Sequence, residues 1–302
     1  LFLLIKHIFR MNDSLNIKSM KLYNNVDRIF NELREIGKST SSSLLVEDLT
    51  KFDQLHYHGT DAIDIFIEKL EINEKTKILD VGSGMGGPAR YIANKTGAEI
   101  TAIELQSDQN NLAKDLTKKC GLSNKVNHIC GDILDYDFKN QTFDAVVSWL
   151  TLYHIDNHEI LLKKLFDLLN PNGFFYTEDI TSRINLSDAD LKEIKKEIYG
   201  IHLPYFDNYI SNLEQNGFKL IFSEDMSSSW TDFTKERIKK YNSKKEKNIR
   251  VHGKEVYDSL NSFYNFVGQY FSNGKLGGIR VIAKKLRMSV EPKIEIKAIS
   301  SD

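Results

Sequence analysis

Between residues 77 and 180 the apolar positions fall into short runs separated by longer stretches with helical spacing. Lys77–Val81, Glu99–Leu105, Val126–Cys130, Phe143–Trp149 and Phe174–Ile180 each read as a strand. A helix opens at Pro88–Ala93, with proline where its missing N–H costs nothing. Asp108–Lys119 reads as a second helix with Asp108 as its N-cap. His158–Leu169 reads as a third, stopped by Asn170-Pro171-Asn172-Gly173. Strands alternating with helices at this spacing predict an α/β fold with a doubly wound, parallel sheet.

After Ile180 the rhythm changes. Residues 187–198 and 206–215 read as helices, Gly217–Glu224 as a strand, and about 230–248 and 253–272 as two long helices. The alternating run Gly277–Lys285 is a last strand, suited to antiparallel pairing. The expected organisation is an N-terminal extension, partly helical and partly flexible, over residues 1–50. A catalytic domain follows over 51–285, with a helical cap at about 181–272, and then a polar tail over 286–302. Such caps usually roof the crevice at the carboxyl ends of the strands.

The chain's 302 residues are ample for a core without disulfides or metal staples. Lys and Arg total 41 against 42 Asp and Glu, a net charge of −1. That balance argues against a nucleic-acid binder or a polybasic membrane binder, since phosphate affinity is built on excess cations. Two cysteines, Cys120 and Cys130, cannot build a disulfide framework, and a reducing, cytoplasmic setting is expected. No apolar run reaches the length of a membrane span. The opening LFLLIKHIF has neither a basic flank before it nor a small-residue cleavage site after it, so it makes a poor signal peptide. Residues 1–10 are expected to be read-through or a fragment edge and carry no functional argument.

The chemistry-bearing motif is Ile78-Leu79-Asp80-Val81-Gly82-Ser83-Gly84-Met85-Gly86-Gly87-Pro88. Its glycines let the backbone turn tightly and approach a ligand. Alone, the spacing suits a nicotinamide dinucleotide as well. Glu104, at the end of the second strand, can accept both ribose hydroxyls. Asp80, just before the first glycine, can take the amino group of a methionyl moiety. Asp132, in Cys130-Gly131-Asp132-Ile133, can accept the adenine amine while Ile133 packs the ring. These acids favour S-adenosylmethionine over a dinucleotide.

With LDVGSGMGGPAR, TAIELQ, CGDILDYD, FDAVVSWLTLYHI, LNPNGFFYTED and LGGIRVIAKK in this order, the sequence resembles class I S-adenosylmethionine-dependent methyltransferases. The resemblance implies a Rossmann-like seven-stranded sheet with an antiparallel last strand. It also implies S-adenosyl-L-methionine as cofactor, held by Tyr57, Asp80, Gly82, Gly84, Gly86, Glu104, Leu105, Asp132, Ile133, Ser148 and Trp149. FDAVVSWLTLYHI lacks the proline-rich motif of nucleic-acid amino-methyltransferases, the double-Glu loop of arginine methyltransferases is missing, and so are the paired acids of catechol-type enzymes. A small-molecule methyl acceptor is left.

Upstream, Phe52-Asp53-Gln54-Leu55-His56-Tyr57-His58-Gly59-Thr60-Asp61-Ala62 resembles the segment before the core in sarcosine/dimethylglycine N-methyltransferases. It is also similar to the gateway of phosphoethanolamine methyltransferases, and GGPAR resembles sterol C-methyltransferases. The resemblance implies small-amine N-methylation, with sterol or natural-product methylation and an inactive cofactor-binding relative as alternatives. It makes His154 the substrate-facing base, a role its pKa suits. His58 and Tyr205 are expected to line the acceptor site, aromatic faces being good hosts for methylated ammonium groups. Tyr199, Trp230 and Tyr264 are further cage candidates, and Arg237, Arg250 and Arg280 are candidates for an acceptor anion. His56 and His58 lack the carboxylates or cysteines that would make a metal site with them. Two departures weaken phosphobase specificity. Leu150 stands where phosphoethanolamine enzymes carry an acid, and the phosphate-gripping Arg and Tyr lack clear counterparts around Tyr199–Tyr205.

Overall fold

The computed structural model describes residue 17 and residues 20–286. The expectations for residues 1–10 and for the tail beyond Leu286 lie outside the described residues. Five strands run parallel in the order expected: β1 (Lys77–Val81), β2 (Glu99–Glu104), β3 (Val126–Cys130), β4 (Phe143–Trp149) and β5 (Leu169–Ser182). Strands β6 (Phe218–Asp225) and β7 (Leu276–Lys285) complete one seven-stranded sheet, ordered β3-β2-β1-β4-β5-β7-β6. β7 lies antiparallel between β5 and β6.

Successive residues of β1 feed opposite faces. Leu79 and Val81 pack with Leu161, Leu165 and Leu213 on one side, while Ile78 packs with Phe66, Ala89 and Ile92 on the other. Burial on both faces is why these strands read as continuous apolar runs. Helix α3 (Thr60–Lys69) and helix α4 (Gly87–Thr96) cover the second face; α6 (His158–Leu168) and α8 (Phe206–Gln215) cover the first.

Three local expectations differ from the structure. Helix α5 (Ser107–Lys119) starts one residue earlier, with Gln106 as N-cap. Asp108 sits in its first turn, where the helix dipole favours a carboxylate. Asn170-Pro171-Asn172-Gly173 does not separate helix from strand. It lies inside β5, which takes it up as a register shift against β4, with Asn172 at φ 67°. The long helix expected over about 230–248 breaks at Lys244 into α9 (Ser227–Ser243) and α10 (Lys245–His252). At the break the Asn248 side-chain amide donates to the Tyr241 carbonyl oxygen (3.2 Å), a local alternative to the helical ladder.

The region expected as a cap divides in two. Helix α8, with Tyr209 and Leu213, belongs to the sheet core. Helix α7 (Asp188–Ile198), α9 and α11 (Lys254–Ser272) build a separate cluster around Trp230, Phe263 and Phe271. Gly278 of β7 lets Trp230 lie against the strand, because a Cβ there would meet the indole at 2.2 Å. Across the sheet, Arg280 of β7 reaches Glu178 of β5 and Glu224 of β6, both at 2.8 Å, and the first of these pairs is buried. The segment before residue 51 packs on the same body. Ile29 and Leu33 of α1 (Arg28–Glu35) meet Leu49 of α2 (Val46–Leu49), Met85 and Leu112, and Met20 joins the Trp230 cluster.

Candidate functional site

The register of the parallel strands decides where the site forms. Val81 lies opposite both Ile103 and Ser148, so β1, β2 and β4 end together and their following loops share one edge. A cavity of about 540 Å³ opens there. Asp80, Gly82, Gly84, Glu104, Leu105, Asp132, Ile133, Trp149 and His154 line it. Gly82 takes φ 71°, a left-handed backbone, and a Cβ on it would meet the Thr151 side chain at 2.1 Å.

Asp80 is fully buried, and neither of its carboxylate oxygens has a hydrogen-bond partner among the described residues. Burial first, then the nearby Glu104 charge, pushes its carboxyl up to about 7. Such a group wants a cation, and the α-ammonium of S-adenosylmethionine is one. Ser83 Oγ and the Trp149 indole N–H are likewise buried without partners at this edge. The donor set therefore fits the cofactor.

Glu104 already has structural work. Its Oε2 accepts the Gly84 N–H at 2.9 Å, and its Oε1 accepts the Gln106 N–H at 2.8 Å. A carboxylate oxygen can accept more than one hydrogen bond, so these two N–H groups do not by themselves bar a ribose hydroxyl. Asp132 Oδ1 accepts the Leu134 N–H (2.8 Å), which fixes its loop.

His154 ends a 3-10 turn, Leu152–His154, and is 6% exposed. Its Nδ1 lies 3.0 Å from the Tyr199 carbonyl oxygen. A carbonyl only accepts, so Nδ1 carries the proton and Nε2 the lone pair. The Tyr23 hydroxyl lies 3.4 Å from Nε2 and donates to it, and Tyr23 also lines the cavity. Burial holds the imidazole down to about 4, and burial with Glu104 and Tyr57 holds the phenol above its usual range. At neutral pH the pair is a neutral imidazole facing a protonated phenol.

Several expected positions lie elsewhere. Tyr57 is not in the cavity wall; it packs edge-on to Trp230 (4.8 Å between ring centres) in the cap cluster. His58 turns away with a positive φ of 61°, and its Nε2 pairs with Ser229 Oγ at 2.9 Å. Asp53, Leu55 and His56, just before that turn, line the cavity instead. Tyr205 is the N-cap of α8 and 40% exposed, outside the wall, so the acceptor role expected for it is dropped. Gly86 caps α4, and Ser148 donates to the Val81 carbonyl (3.2 Å); both stand behind the lining. Tyr23 was missed. It lies in the extension set apart by composition, and no motif marks it.

Behind His154, Asp179 of β5 accepts the Tyr153 N–H and the Tyr209 hydroxyl, each at 3.3 Å. Burial pushes its carboxyl up to about 8. Because the folded value exceeds the unfolded one, its stabilising contribution is whole below pH 4 and is lost as pH rises to about 8. Asp179→Asn should therefore gain stability over the parent by about 1.4 kcal/mol per pH unit across part of that window. Urea midpoints of the two proteins at pH 5 and pH 9 check this; an unchanging difference would refute it.

Residues 20–280 match the family described as mycolic acid cyclopropane synthetase. The chain belongs to that family. It is an S-adenosylmethionine-dependent methyltransferase that acts on a small molecule. The methyltransferase is 28% identical over 206 residues to the phosphoethanolamine N-methyltransferase of Plasmodium falciparum, covering 67% of this chain and 76% of that one. Its fold matches phosphoethanolamine N-methyltransferase 2 of Haemonchus contortus with a TM-score of 0.74 at 18% identity, over 88% of this chain and 58% of that one. It also matches the cyclopropane synthase MmaA2 of Mycobacterium tuberculosis, with a TM-score of 0.70 at 17% identity, over 90% and 98% of the two chains. Among the described residues of the methyltransferase, no helix is long and apolar enough to cross a membrane.

Proposed function

We propose that this methyltransferase alkylates the nitrogen of a small amine. The observation behind this reading is the Tyr23–His154 pair, which opens on the same cavity as Asp80, Glu104 and Asp132. In this reading Asp80 receives the cofactor's ammonium, Glu104 its ribose hydroxyls and Asp132 its adenine amine, with Leu105, Ile133 and Trp149 packing around them. The bound sulfonium supplies an electrophilic methyl group.

The chain's own residues then do the rest. An ammonium has no lone pair, so the acceptor must lose a proton before it attacks. His154 Nε2 takes that proton, directly or through the Tyr23 hydroxyl. Nδ1–H, held on the Tyr199 carbonyl, keeps the ring in the tautomer this needs. The buried wall excludes water and holds the reactants in line, which is where most of the acceleration arises in methyl transfer. The composition, with two cysteines, supports a cytoplasmic setting.

The test is methyl transfer from labelled S-adenosylmethionine to aliphatic and aromatic amines, a sterol and catechol, with product masses. An N-methyl product is expected. Label appearing only on sterol carbon or catechol oxygen would overturn the reading.

A further inference from the structure

We propose that the acceptor is an apolar amine bearing no phosphate or carboxylate. This rests on the amine reading above and narrows it. Away from the cofactor acids, the cavity wall includes Ile17, Tyr23, Leu150, Ile155, Tyr199 and Ile201, with Thr151, His154, Asp156 and Asn157 as its polar members. Every charged side chain in the described lining is acidic: Asp53, Asp80, Glu104, Asp132 and Asp156. Asp53 is neutralised by the buried guanidinium of Arg90 at 2.9 Å. Asp80, Glu104 and Asp132 serve the cofactor, so Asp156 is the charge left for the acceptor in the described lining; no cation there answers an acceptor anion, and Asp156 repels it.

The three arginines that could have gripped an anion are committed elsewhere. Arg237 lies over the rings of Tyr57 (5.0 Å), Phe233 (5.4 Å) and Tyr264 (4.7 Å). Arg250 is held by Glu35 at 2.6 Å. Arg280 is held between Glu178 and Glu224. None of the three lines the cavity.

The same wall suits an amine. Asp156, exposed at the rim, attracts the ammonium form. Deeper in, beside the buried His154, desolvation disfavours the charged ammonium and so favours loss of its proton. The freed lone pair forms the N–C bond as the C–S bond breaks, whose electron pair stays on sulfur. The ammonium's proton passes over His154 Nε2 to solvent, leaving the imidazole neutral.

Calorimetry on the full chain with S-adenosylhomocysteine bound would compare N-methylbenzylamine, sarcosine and phosphoethanolamine, and turnover with S-adenosylmethionine would be read by mass. N-methylbenzylamine is expected to bind at least tenfold more tightly than either anion-bearing amine and to gain one methyl. Equal or tighter binding of sarcosine or phosphoethanolamine would overturn the inference while leaving amine methylation intact. Methylation of an apolar alcohol but of no amine would overturn the amine reading itself, and the inference with it. Ile155→Arg adds a cation to the wall. It is expected to raise phosphoethanolamine affinity about tenfold; no change in a variant that still binds S-adenosylhomocysteine would count against the inference.

Discussion

His154→Ala is expected to cut turnover by about 10²–10⁴-fold, the usual size of a lost proton acceptor. S-adenosylhomocysteine affinity should stay within about twofold. The separation follows from the geometry: His154 is tied to Tyr199 and Tyr23, whereas the cofactor acids stand on β1, β2 and the loop after β3. Tyr23→Phe should give a smaller loss, since the imidazole lone pair remains. Kinetics with N-methylbenzylamine, alongside calorimetry with S-adenosylhomocysteine, would check both. If affinity and turnover fell together in His154→Ala, the imidazole would be a packing group and its assignment as base would fail.

Asp80→Asn should act on the other half of the site. A hydrogen bond to a charged group contributes about 1.5–3 kcal/mol, so S-adenosylhomocysteine binding should weaken roughly 10- to 150-fold. The pH profile carries the sharper signature. With its carboxyl near 7, Asp80 must give up a proton before it can pair with an ammonium. Affinity of the parent protein should therefore rise about tenfold between pH 6 and pH 8, and the asparagine variant should be flat across that range. A parallel rise in both proteins would show that another group controls cofactor binding.

The cofactor half of the site was legible because its determinants are local. Gly82, Gly84, Glu104 and Asp132 sit at strand ends, and strand periodicity locates strand ends. The parallel pairing of β1 to β5 followed from the same alternation, and the antiparallel β7 from the family resemblance. Apart from His154, the acceptor half was not legible, because it is built from long-range contacts. Tyr23 reaches His154 across 131 positions. Nothing in the spacing of a lone tyrosine foretells that. The choice between His56 and His58 turned on backbone rather than side chain. In a plain extended segment His56 and His58 would share a face, and the positive φ at His58 and Gly59 breaks that segment. Arginine roles were unreadable for the same reason, since the acid holding Arg250 is 215 positions away and those holding Arg280 are 102 and 56 away.

The placement of β7 between β5 and β6 also shapes how the protein is made. Glu178 leaves the ribosome 102 residues ahead of the Arg280 that neutralises it. At about 5–20 residues per second, that is a wait of roughly 5–20 s. Until β7 arrives, the edge of β5 that it will cover stays open, as does that of β6 once made, and Glu178 lacks the Arg280 guanidinium. The sheet closes only when the last described strand arrives, so a ribosome stalled before Leu276 holds a chain with two unpaired strand edges, which is a substrate for chaperones and for aggregation.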